Sequence, residues 1–456
     1  MKLRKILAVL GGMLKALRLA LPKIGVGWMF ALLSSNFNRI TIYELGVAAV
    51  LVTVMLSMHN FLSPFQVVFG RIADRHPIFG FRRTPYILVS AFLGSLVFTM
   101  LPAVAQGMGT HSLTAGLTGL VLMLLFGICI ATLGDSHHSL IAESTSERSR
   151  GGVISVVWTF TIMSSIISAV VFKNVMPVYS PEAMQQLYNL TPFVVVGSAL
   201  LGIVGMERRL KDNELREAMA KSQAALPQGN ALVTAYKLLK SNHQVRSFFF
   251  FVAAAILGIF LQDSILEVYG AEVFGMNLKE TTSFQQIWGG AVLLGMLLTG
   301  IVSSLIPLSK KLFAMVGASG TAFGLALLML SAVLAQKAML TPALIVMGLF
   351  TGLFNVGALS MMMEMTVEGA TGLYMGLWGT AQALGNGLSS VVSGAMKTGL
   401  IETGLTSPQI GYSTIFGVET LLMVVAVALL STVSVAEFKG LKRQDLTRAM
   451  EVGATA

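Results

Sequence analysis

The stretch GRIADRHPIFGFRR, Gly70 to Arg83, sets four arginines and one aspartate between two runs that hold no Asp, Glu, Lys or Arg. Residues 47–69 precede it and residues 84–104 follow it. Each run is long enough to cross a hydrocarbon core about 30 Å thick as an α-helix, which takes roughly 20 apolar residues. A short polar loop between two such spans lies at one membrane surface, and its arginines mark that surface as the inner one.

Working outward from this loop, ten further stretches qualify as spans: 23–43, 113–138, 152–176, 188–206, 247–268, 283–306, 311–335, 341–363, 372–394 and 411–435. The composition agrees. Hydrophobic residues make up 55% of the 456, charged residues 11%, and mean hydropathy is +0.78, which leaves too little polar surface to dissolve so long a chain in water. Lys and Arg outnumber Asp and Glu by 31 to 21. Of those 31, 26 fall in the segments that are inside when both termini are cytoplasmic. Only Arg39, Lys173, Lys279, Lys337 and Lys397 do not. The basic excess therefore reports membrane orientation, and no nucleic-acid partner is expected. The one cysteine, Cys129, lies in an apolar run and reads as a small buried hydrophobe.

The expected architecture is an all-α polytopic membrane protein with twelve transmembrane helices in two six-helix halves. Residues 1–22 read as an amphipathic interfacial helix, with Lys2, Arg4, Lys5, Lys15 and Arg18 suited to an anionic leaflet. Residues 23–206 form the first bundle, 207–246 a charged cytoplasmic linker, 247–436 the second bundle and 437–456 a cytoplasmic tail. Glu143-Ser-Thr-Ser-Glu147 before the fifth span and Glu364-Met-Thr-Val-Glu368 before the eleventh, with Trp158 and Trp378 following at similar offsets, mark a parallel repeat.

The loop Gly70, Asp74, Arg75, Arg82, Arg83 resembles the signature loop of the major facilitator superfamily, with His76 to Phe79 making it longer than usual. Its arginines are expected to pair with Glu143 and Glu147, and Arg148 and Arg150 with Asp74, as an inner gate. A solvated positive loop is the plainer alternative. After the eighth span only Lys310 and Lys311 remain, with no acid in the loop, so the gate chemistry is expected to be asymmetric between the halves.

Ionisable side chains at membrane depth are costly and mark function. Arg39 and Glu44 stand at the outer end of the first span, His59 in the second, Asp135 with His137 and His138 in the fourth, Asp263 and Glu267 in the seventh and Glu419 in the twelfth. Asp263 and Glu267, four apart, are expected to share a helix face. Arg39 and Asp263 either meet across a central cavity or belong to local pairs near the outer interface. GxxxxGK[ST] is absent and no set of ligands has zinc spacing, so neither an ATP site nor a zinc site is expected. No arrangement for hydrolysis is found, and the chain does not read as an enzyme.

Asn38-Arg39 with Tyr43-Glu44-Leu-Gly, Phe61-Leu-Ser-Pro-Phe-Gln66 leading into Gly70, Phe81-Arg-Arg-Thr-Pro-Tyr86, and Leu261-Gln-Asp263-Ser-Ile-Leu-Glu267-Val-Tyr-Gly270 together resemble the PucC-like, or bacteriochlorophyll delivery, branch of the major facilitator superfamily. Val268 departs from it, standing where the branch leads one to expect proline. The resemblance implies the major facilitator fold and a multi-pass protein of the bacterial inner or photosynthetic membrane. It also implies a tetrapyrrole pigment, chlorophyll or bacteriochlorophyll, handed to light-harvesting or reaction-centre polypeptides. His59 reads as an interhelical hydrogen-bond partner or, under this resemblance, as a ligand for the pigment magnesium. A proton-coupled carrier of another mostly apolar solute and a non-transporting scaffold stay open.

Overall fold

The computed structural model describes residues 2–62, 69, 72–73, 76–145, 147–211, 213–214, 231–306, 308–366 and 371–439. A helix coincides with each of the twelve expected spans. Ten of these are long and apolar enough to cross a membrane; the second span is the shorter Ala49–Phe61 and the eleventh is Thr371–Lys397. Among the described residues the only strand-like pairing is one bridge, Ile78 with Phe81.

Two compact units emerge, one of Met1–Ser222 with Gly275–Gly289 and one of Gln223–Phe274 with Gly290–Ala456. The first holds α1 (Lys2–Ala20), α2 (Pro22–Leu32), α3 (Ala49–Phe61), α4 (Thr84–Gly109), α5 (Leu113–Ser144), α6 (Glu147–Val175), α7 (Pro181–Asn189) and α8 (Thr191–Ile203). The second holds α9 (Ala231–Ser241), α10 (His243–Phe260) and α11 (Leu266–Phe274). It continues with α13 (Lys310–Val333), α14 (Leu340–Glu364), α15 (Thr371–Lys397), α16 (Pro408–Ser431) and α17 (Val435–Lys439). Helix α12 (Leu278–Leu305) starts among the residues of the first unit. Residues 275–289, expected in the second bundle, join the first because Gln286 accepts from Lys173 at 2.9 Å and Gln285 donates to Ser165 at 2.9 Å.

Local chemistry sets the helix starts. Ser112, Ser180, Asn242, Ser309 and Ser407 each accept a hydrogen bond from the backbone N–H three residues on, opening α5, α7, α10, α13 and α16. Pro22 separates α1 from α2, because proline has no N–H to continue the ladder. Arg18, at the end of α1, donates to the carbonyls of Leu201 and Val204 where α8 closes, a cation on the negative end of a helix.

The outward stripe of α5 is Leu113, Leu117, Val121, Leu125 and Ile128, all exposed, which only a lipid environment makes economical. In the second unit α13 and α14 pack backbone to backbone. A Cβ on Gly324 would stand 2.6 Å from Met347 Cα, and Gly317 and Gly357 meet the backbone of Phe354 and Ala314 as closely.

Candidate functional site

Each unit carries a charged cluster at both ends of its helices. In the first unit Arg82 and Arg83 open α4, and both reach Glu143 at the end of α5, at 3.1 Å and 3.0 Å. This is the expected pairing. Glu207 completes the cluster from beyond α8: its carboxylate accepts from the backbone N–H groups of Arg82, Arg83 and Thr84 at 2.7, 3.0 and 2.6 Å. Those three donors begin α4 and have no intrahelical partner, so an anion on them satisfies both the orphan groups and the helix dipole. Glu207 reads in sequence as the first residue of a solvated linker, which concealed it. Gly70, Asp74 and Arg75 lie outside the described residues, as do the side chains of Glu147, Arg148 and Arg150.

The expectation of asymmetry needs correcting. In the second unit Lys310, opening α13, pairs with Glu364, closing α14, at 2.8 Å. These positions repeat Arg82/Arg83 and Glu143, as the match of Glu143-Ser-Thr-Ser-Glu147 to Glu364-Met-Thr-Val-Glu368 implies. The acid that the loop lacks is supplied by the neighbouring helix. Lys311 donates to the carbonyls of Ser431 and Val433 at 2.8 and 2.7 Å, joining the start of α13 to the end of α16. The first unit joins α4 to the end of α8 through an anion, and the second joins α13 to the end of α16 through a cation. The halves differ in the sign of this tie, while the cation-to-carboxylate pair is common to both.

At the opposite end of the first unit the helix after α2 is wound into two π-turns, Leu33–Phe37 and Ile40–Glu44. Arg39, 1% exposed, forms an ion pair with Glu44, donates to the Met276 carbonyl at 3.3 Å and lies over the Tyr43 ring at 4.7 Å. Every one of these partners lies within the same unit as Arg39. Burial and the nearby carboxylates of Glu44 and Glu182 push the Tyr179 phenol above its ordinary range.

The matching end of the second unit holds a cluster that sequence reasoning missed. Lys397, 1% exposed, reaches Glu272 at 3.0 Å and Glu402 at 2.8 Å, and the buried Tyr412 donates to Glu272 at 2.7 Å. One signal was available: Lys397 is among the five basic residues that break the inside bias. Asp263 and Glu267 do not share a continuous helix face. Helix α10 ends at Phe260, Gln262–Ser264 form a 3₁₀ turn, and α11 begins at Leu266. Glu267 is buried in the first turn of α11 and Asp263 is half-buried. Asp135 is half-buried on α5. Glu419 is fully buried on α16, and among the described residues neither carboxyl oxygen has a hydrogen-bond partner.

His59 lies on α3 within an aromatic cage. The Phe30 and Phe126 centroids are each 5.5 Å from the imidazole, and Phe98 is 5.3 Å from Phe126. His59 Nδ1 stands 2.5 Å from the Leu56 carbonyl oxygen. A carbonyl only accepts, so Nδ1 carries the proton and Nε2 keeps its lone pair. That is the tautomer of a ligating histidine whose far nitrogen is fixed by a backbone carbonyl. Elsewhere, His137 donates from Nε2 to the Leu19 carbonyl at 2.7 Å, beside the break at Pro22. Among the described residues no group of three or more His, Cys, Asp and Glu is placed to hold a metal ion. A lone imidazole would supply one ligand to a group that brings its others with it, and would not hold a bare ion.

Helical spans in two units, with matching ion pairs where α4 meets α5 and α13 meets α14, define a membrane protein of the major facilitator fold. A solved D-xylose-proton symporter superposes with a TM-score of 0.68 at 14% identity, covering 93% of this chain and 99% of that one. The chain belongs to the family described as PUCC protein, whose model matches residues 36–438. Among its relatives are the "Bacteriochlorophyll synthase 44.5 kDa chain" of Rhodobacter capsulatus, 29% identical, and "Protein PucC" of the same organism, 26% identical. The alignments cover 91% of this chain in both cases, and 94% and 91% of the relatives.

Proposed function

We propose that the protein binds a chlorophyll-type pigment within the membrane and delivers it to light-harvesting or reaction-centre polypeptides during assembly of photosynthetic complexes. Family membership and the names its relatives bear support this, and one observation carries it: the caged His59, with Nδ1 bound to Leu56 and its Nε2 lone pair free to coordinate. Bound to His59, the pigment would supply a coordinatively unsaturated magnesium. The chain would supply the Nε2 nitrogen of His59, the Phe30 and Phe126 faces and an apolar surround. On this reading the protein is a carrier and not an enzyme. It sits in the inner or photosynthetic membrane with both termini cytoplasmic, and the clusters Arg82/Arg83/Glu143/Glu207 and Lys310/Glu364 act as latches that open as the helices move.

The test is the absorption spectrum of protein purified gently from its host. Soret and Qy bands at about one pigment per chain, lost or shifted in His59→Leu, support the proposal. A second reading, a proton-coupled carrier of another mostly apolar solute, is favoured by Glu419, a buried carboxyl with no hydrogen-bond partner among the described residues. It predicts solute-driven pH change in proteoliposomes that Glu419→Gln abolishes.

A further inference from the structure

Residues 76–79, which lengthen the loop before α4, lead into a two-residue turn. The Ile78 N–H donates to the Phe81 carbonyl at 2.9 Å, and the Phe81 N–H to the Ile78 carbonyl at 3.0 Å. Both central residues take the left-handed conformation, Phe79 at φ 54° and Gly80 at φ 84°. Glycine suits that region, but a phenylalanine there crowds its own backbone carbonyl. The Phe79 ring is also 81% exposed. A strained residue of this kind persists where its surroundings fix it. Leu210 clasps the turn from beyond α8: its N–H donates to the Gly80 carbonyl at 3.0 Å, and its own carbonyl oxygen would stand 2.9 Å from a Cβ on Gly80. Tyr86, in the first turn of α4, donates to the His76 carbonyl at 2.6 Å.

These ties hold the turn at the level where α4 begins and α8 has just ended, the headgroup layer for two spans of this length. The end of α8 is bound to α1 as well, through Arg18, and Met13, Leu14, Lys15 and Leu17 of α1 are exposed. Beside Phe79 the cation is Arg209, whose Cγ and Nε stand 3.0 and 3.4 Å from the same Cβ position on Gly80; its neighbour Arg208 is taken up by Glu214 at 2.7 Å. A ring left in water forfeits the gain from burying its apolar area, and aromatic side chains collect where headgroups meet acyl chains. A guanidinium matches a phosphate in the same layer. We propose that Phe79 and Arg209 form a binding site for an anionic phospholipid in the leaflet at this end of the helices. The ring enters the top of the acyl region and the guanidinium holds the phosphate. A headgroup of net negative charge is preferred to phosphatidylcholine, whose quaternary ammonium opposes Arg209.

The test uses the full chain with Phe79→Trp in nanodiscs of phosphatidylcholine or phosphatidylglycerol brominated near the top of the acyl chains, diluted with the unbrominated lipid. The signal of the four native tryptophans, measured on wild type, is subtracted. Tryptophan at position 79 is expected to be quenched by both lipids, with half-quenching at about fivefold less phosphatidylglycerol than phosphatidylcholine, the preference one cation near an anionic surface supplies. Adding Arg209→Gln removes the difference and leaves quenching by phosphatidylcholine in place. Equal quenching by the two lipids before that change overturns the anionic site. Quenching by aqueous iodide and by neither lipid places the ring in water, open to a protein partner, and overturns the inference entirely. Should the tryptophan variant misfold, Phe79→Cys labelled with nitrobenzoxadiazole gives the same comparison, since buried Cys129 adds little background.

Discussion

At the scale of single residues, buried cations meet carboxylates, as Arg39 meets Glu44. Lys397 is held between Glu272 and Glu402, and Tyr412 binds the first of these. Removing the cation leaves the partly exposed carboxylates of Glu272 and Glu402 without their shared partner, so Lys397→Met should destabilise the second unit by about 1–3 kcal/mol. The thermal midpoint in detergent measures this, and Lys397→Arg should recover most of the loss. Glu207 offers a milder case. Replacing it with alanine strips three helix-start N–H groups of their acceptor, which at a helix start costs about 1–2 kcal/mol. Glu207→Gln, retaining the acceptor oxygen and losing the charge, should fall between wild type and alanine in the same melt. A midpoint unchanged in Glu207→Ala would mean that water serves those donors equally well.

At the scale of elements, α13 and α14 are joined by glycines that admit no side chain. Gly324→Leu should lower the midpoint strongly, since overpacking at backbone contact costs at least about 1–3 kcal/mol. Gly290→Ala, facing open space, should leave it unchanged or slightly raised. The span positions were legible because a hydrocarbon core imposes one length on every helix, whichever residues fill it. Their internal breaks were not. Neither the π-turns around Arg39 nor the 3₁₀ turn separating Asp263 from Glu267 has a proline or glycine to announce it, and apolar periodicity runs straight through both. The Arg82/Arg83 pairing with Glu143 was legible as opposite charges at facing helix ends. Glu207 and Lys310/Glu364 were obscured because each acid lies outside the loop being read, Glu207 beyond the end of α8 and Glu364 at the end of α14.

At the scale of the whole molecule, the distribution of 26 of 31 basic residues predicts that the linker and both termini are cytoplasmic. A cysteine introduced at exposed Lys211 should react with an impermeant maleimide only in inverted vesicles, and one at exposed Leu405 only in right-side-out cells; buried Cys129 gives little background. The fold fits many transported solutes, so the chemistry that distinguishes this chain rests on the first unit, where a single oriented imidazole sits among phenyl rings. The most direct measurement is the absorption spectrum of the protein purified gently from its host, wild type beside His59→Leu. Stoichiometric Soret and Qy bands in wild type, with the Qy band lost or displaced in the variant, are the predicted result. A colourless wild-type protein that also fails to take up added pigment, or a spectrum indifferent to His59, would contradict it.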